Sequence, residues 1–177
     1  ALFESSQEVV DAVFAACTDR TRLIVISHIT SPTAVTLPVQ EICERAQQEG
    51  VQVCVDGPHA VAQLPLNLDQ IPCDYYCASC HKWLCAPFGT GFLYAAAEHQ
   101  ARLGPLTLSW GQLPPDEVSH WSDEFLWSGT RDPSGYLAIP SAIDFMESVG
   151  LENFQQQGHA LAQYARQQLV DLTGQQP

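Results

Sequence analysis

Val51-Gln52-Val53-Cys54-Val55-Asp56-Gly57-Pro58-His59 and Asp74-Tyr75-Tyr76-Cys77-Ala78-Ser79-Cys80-His81-Lys82 are built alike. Each is a short apolar run that ends abruptly in polar residues. Runs of this length, rich in β-branched and aromatic residues, read as strands buried in a sheet. The first strand is expected over 51–55 and the second over 74–79. Upstream, Arg22-Leu23-Ile24-Val25-Ile26-Ser27-His28 has the same character. Between 22–28 and 51–55, Pro38 suits a first helical position, and Val39, Ile42, Cys43 and Ala46 share one helical face. Gly50 supplies the stop. Strand, helix and strand in that order imply a βαβ unit, hence an α/β fold with a mostly parallel sheet flanked by helices.

Working outward, residues 8–17 carry Val9, Val10, Val13, Phe14 and Cys17 at helical spacing, and residues 1–11 read as amphipathic helix. A short helix is expected over 58–64. Residues 91–95 form a further strand, and Pro87 and Gly89 before it permit a hairpin-like return. Residues 102–128 hold Pro105, Pro114 and Pro115 with Trp110, Trp121 and Trp127, and read as an irregular excursion. Asp132 then caps a helix with Pro133 at its first position, running to about Val149. Gly150 breaks it, and a last helix covers 151–172. No repeat or linker divides the chain, so one domain is expected.

The 177 residues carry a formal net charge of -13, from seven Lys+Arg against 20 Asp+Glu. That balance argues against nucleic acid or an anionic membrane surface as main partner, since both need basic patches. No apolar stretch reaches the roughly 20 residues of a membrane span. Seven cysteines, an odd number mostly inside apolar runs, fit free thiols in a reducing cytoplasm better than a secreted disulfide framework. Cys77-x-x-Cys80, with Cys73, Cys85 and His81 nearby, has a zinc-like spacing, but a strand would turn Cys77 and Cys80 to opposite faces and no second pair of ligands follows, so no metal is expected.

Strand ends in an α/β sheet converge at the carboxyl edge, where ligands bind. Asp56 closes one strand, Ser79 closes another, and His81 and Lys82 follow. His28 ends a third and reads equally as packing residue or substrate contact. Lys82 is the only lysine in the chain. A strand-end aspartate beside a strand-end Ser-x-His-Lys is what a pyridoxal-phosphate (PLP) site needs. The lysine offers an amine to an aldehyde, the aspartate keeps a pyridine nitrogen protonated, and serine and histidine offer donors to a phosphate. Asp56 could instead cap the turn that begins at Pro58. His99, His120 and His159 show no partner pattern and are assigned to the surface.

The segment Val53 to Ala60, then Ser79-Cys80-His81-Lys82, then Gly89-Thr90-Gly91-Phe92-Leu93-Tyr94, resembles the core of class V aminotransferase-fold PLP enzymes. Ser27-His28-Ile29-Thr30-Ser31-Pro32-Thr33-Ala34 and Trp127-Ser128-Gly129-Thr130-Arg131-Asp132-Pro133 resemble the isopenicillin N epimerase-like branch most. The resemblance implies fold type I and assigns roles. Lys82 would carry the Schiff base. Asp56 would pair with the pyridinium nitrogen, and His59, where many relatives have glutamine, would bond the ring oxygen. Ser79 and His81 would hold the phosphate, and Thr130 would reach the phosphate of the neighbouring subunit, making a homodimer the expected unit. Ser31 stands where desulfurases carry asparagine, against a desulfurase assignment.

The resemblance further implies that residues 1–177 are the C-terminal portion of a large PLP-binding domain, inactive alone. An N-terminal segment and a C-terminal small domain would complete it. The expected substrate is an amino acid and the expected outcome epimerisation. A cysteine desulfurase or C–S lyase, an aminotransferase, and a catalytically silent scaffold are the alternatives.

Overall fold

The computed structural model describes residues 3–107, 109–112 and 120–175. Helix α1 (Ser6–Ala15) begins where Ser5 Oγ accepts the Glu8 N–H at 3.2 Å. Residues 1 and 2 of the expected N-terminal helix lie outside the described residues. Strand β1 (Leu23–Ser27), helix α2 (Val39–Glu49) and strand β2 (Gln52–Asp56) follow as the apolar pattern requires. Gly50 closes α2 at φ +69°, and its N–H reaches Ala46 O and Gln47 O. A left-handed backbone there suits glycine because it has no Cβ to clash.

Strands β3 (Tyr75–Ser79) and β4 (Gly91–Ala95) complete a four-stranded sheet in the order β1-β2-β3-β4. The first three are parallel, and β4 returns antiparallel to β3. Alternation sends Val53, Val55, Tyr76 and Ala78 to one face. There they pack on Val10 and Phe14 of α1 and on Val39, Ile42, Cys43 and Ala46 of α2. Burying a side chain such as Ile42 fully is worth about 1.5–3 kcal/mol. The alternate positions Leu23, Val25 and Leu93 on the opposite face remain exposed.

Two helical expectations need correction. Residues 58–64 form successive turns, not a helix. Ala62 takes φ +63°, a left-handed step that no α-helix continues through. The helix expected from Pro133 to Val149 is two pieces, α5 (Ser134–Leu137) and α6 (Ile139–Val149), once the four-residue α3 (Ala97–Gln100) and α4 (Asp123–Leu126) are counted. Pro140 has no N–H to give Tyr136 O, so the ladder breaks at Ala138. Asp132 still caps: its carboxylate accepts the Ser134 N–H at 2.9 Å and the Ser134 hydroxyl at 2.8 Å. Gly150, at φ +83°, separates α6 from the long α7 (Leu151–Thr173).

Within 102–128 the described residues include regular turns. A 3-10 turn at Trp110–Gln112 lies against α4, so closely that a Cβ on Gly111 would stand 2.8 Å from Glu124 O and Trp127 O. Pro114 and Pro115 lie outside the described residues. None of the described helices is long and apolar enough to cross a membrane.

Candidate active site

Strand register puts Asp56 between Ser27 on β1 and Cys77 on β3. Its side chain projects to the face opposite the core, as do Cys54, Cys77 and Ser79. The Cys77 thiol approaches Asp56 Oδ1 at 3.9 Å. Burial raises the Cys77 thiol, with the nearby Asp56 charge adding to it, so the sulfur keeps its proton and faces the carboxylate as a weak donor. This neighbour was missed in the sequence. The signal for it was the alignment of two strand ends, with 56 and 77 on one face.

Beyond Asp56 the chain must cross Tyr76. Gly57 makes this possible: a Cβ there would stand 2.0 Å from the Tyr76 hydroxyl. Gly57 N–H bonds Cys77 O at 2.8 Å and fixes the departure. The turn that follows carries His59 back over the end of β3. There the Lys82 Nζ and His59 Nε2 are 2.9 Å apart.

Lys82 sits in a tight loop after β3. Cys80 N–H bonds Thr90 O at 3.0 Å, and Ala86 N–H bonds Cys80 O at 3.1 Å, closing the loop at its neck. Cys80 is buried with Ala86 against Ala142 of α6, facing away from Cys77 as strand alternation demands. Among the described residues no group of three His, Cys, Asp or Glu side chains could hold a metal.

His81 stacks on Phe88, with ring centroids 4.8 Å apart. Its Nδ1 is buried and has no hydrogen-bond partner among the described residues. A buried polar atom without a partner costs about 1–3 kcal/mol, so it asks for a ligand. Five residues, Asp56, His59, Ser79, His81 and Lys82, thus gather at adjacent strand ends. Thr130 does not join them; it is exposed, after Gly129 at φ +136°. Ser31 is exposed in a turn.

His28 is a packing residue. It is buried, and its Nδ1 lies 2.9 Å from the Tyr76 hydroxyl. Burial lowers its pKa, so it is held neutral. His99, assigned to the surface from sequence, is instead partnered. Its Nε2 pairs with Asp74, whose other oxygen accepts the Val53 N–H at 2.7 Å. Gln52 lies 3.1 Å from the same imidazole. This cluster ties α3 to the amino edge of the sheet, the end away from Lys82.

A family model, Aminotransferase class-V, matches residues 4–176. The chain is 40% identical over 183 residues to isopenicillin N epimerase of Amycolatopsis lactamdurans, an alignment covering 98% of this chain and 46% of that protein. The structure is similar to a cysteine desulfurase from Escherichia coli, with TM-score 0.78 and 21% identity, over 99% of this chain and 44% of the other. It is also similar to a variant of the cystine C–S lyase C-DES with glycine covalently linked to its PLP cofactor. There the TM-score is 0.73 and the identity 23%, covering 87% of this chain and 42% of that one. The chain spans about half the length of the curated relatives it matches, 46% and 45% of the two isopenicillin N epimerases. With a family model matching nearly its whole length, the chain belongs to the aminotransferase class-V family.

Proposed function

We propose that the protein is a PLP-dependent enzyme that works at the Cα of an amino acid, in the manner of isopenicillin N epimerase. The observation that carries this reading is the 2.9 Å contact of Lys82 with His59 beside the strand-end Asp56 and Ser79. The residues fit the cofactor. Asp56 keeps one carboxylate oxygen clear of the Cys77 thiol, an acceptor for a protonated ring nitrogen. The partnerless His81 Nδ1 and the Ser79 hydroxyl are donors suited to a phosphate. When bound, PLP supplies an aldehyde for a primary amine and a ring that draws electron density from Cα.

The residues divide the work. Ser79 and His81 bind the phosphate. Asp56 keeps the ring nitrogen protonated. His59 bonds the ring oxygen. Lys82, in its neutral form, takes the Cα proton. Return of that proton to the opposite face gives the epimer; loss of a β-substituent would give a lyase. Thr130, exposed in one subunit, reaches the phosphate bound by the other in a homodimer. Residues 1–177 are read as the C-terminal portion of the large domain. The exposed Val25, Leu161, Tyr164 and Leu172 support this, as apolar faces that the rest of the protein would cover. The seven free cysteines support a cytoplasmic setting.

Proton NMR of the full-length protein with PLP and an amino acid in D2O tests the reaction class. L-alanine and L-cysteine serve as probes. Exchange of the Cα hydrogen that disappears in Lys82→Ala is the expected result, and appearance of the D-isomer separates epimerisation from lysis. Cα exchange unaffected by Lys82→Ala would contradict the role given to Lys82.

A further inference from the structure

We infer that His59 is a proton acceptor for Lys82, in addition to its role as a bonding partner of the ring oxygen. This deepens the proposed PLP reading and rests on it. A lysine amine at neutral pH is an ammonium and has no lone pair with which to attack an aldehyde. Some group must take its proton. Among the described residues no carboxylate lies within ion-pair distance of Lys82. Among the described residues the one hydrogen-bond partner of Nζ is His59 Nε2, at 2.9 Å. This is within the reach required of a general base.

Other titratable groups near this turn are less suited. Asp56 precedes it at the end of β2 and has its own contact with Cys77. His81 adjoins Lys82 but is turned onto Phe88. Glu147, Glu152 and His159 of α6 and α7 line a cavity of about 1040 Å³ with residues 61–67 and Leu84, of which Lys82 is not a lining residue. None of them bonds Nζ.

The step is one proton transfer. The Nζ–H bond breaks, an Nε2–H bond forms, and the positive charge passes to the imidazole. Lys82 is left with a free lone pair, and the new Nε2–H is the donor that a ring oxygen needs. A glutamine in place of His59 would accept a hydrogen bond from Nζ but could not keep its proton. Histidine therefore adds a function that a bonding role alone does not need.

The test is stopped-flow capture of PLP by the full-length apoenzyme, followed by absorbance, in the unaltered protein and in His59→Gln. Saturating PLP brings both to a final occupancy, so only the rates are compared. The relay predicts capture slower by about 10²-fold in the variant. It also predicts that ¹⁵N NMR of the histidine-labelled, unaltered apoenzyme finds His59 protonated on Nδ1 and bare on Nε2. The NMR arm needs no variant, so a misfolded His59→Gln does not protect the idea. Equal rates, or a proton resident on Nε2, overturn the relay alone. No capture by the unaltered protein overturns the PLP reading, and the relay with it.

Discussion

The placement of Asp56, His59, Ser79, His81 and Lys82 at or just after strand ends was legible, because side chains from distant sequence positions converge there. His28 occupies such a position too, yet it bonds Tyr76 inside the core. That difference has a pH consequence. Burial lowers the His28 pKa, so unfolding lets the imidazole gain a proton as pH falls. The unfolded state then binds more protons than the folded one. Stability from the neutral histidine is complete above the unfolded value of 6.5 and is lost as pH falls through the folded value. The urea midpoint of the full-length protein should drop between about pH 7.5 and about pH 5.5, and His28→Gln should flatten that drop. An equally steep drop in the variant would assign the effect elsewhere. His99 shows the opposite limit of sequence reading, since its partner Asp74 is 25 residues away and no local pattern links them.

Strands were readable because β-branched runs have one plausible fate, whereas turns depend on single backbone angles. The 58–64 stretch has a helix-like composition, but Ala62 at φ +63° keeps it from continuing as a helix. Pro140, two residues after Ala138, separates the two pieces of the 134–149 helix, a cause present in the sequence itself. The crossing of β2 into the site turn depends on Gly57. Gly57→Ala would drive a methyl into the Tyr76 hydroxyl, 2.0 Å away, and should cost about 1–3 kcal/mol in urea unfolding of the full-length protein. A variant as stable as the parent would mean that Tyr76 yields freely, and that the crossing is not tightly specified.

At the scale of the molecule, one face of the sheet is packed against α1 and α2 while the other carries the site residues and the exposed Val25 and Leu93. Under the proposed reading, the further length that the relatives possess would cover this open face. Family membership was legible from the Asp-x-x-His and Ser-x-His-Lys pairing, because that spacing joins two strand ends. Thr130 was named by resemblance alone, and it is exposed in this chain. The account turns on Lys82 as the residue that holds PLP. Borohydride reduction of the full-length protein incubated with PLP, followed by peptide mapping, tests that directly. A phosphopyridoxyl group on Lys82 is the predicted result; folded protein with no adduct, or an adduct on another lysine only, would contradict it.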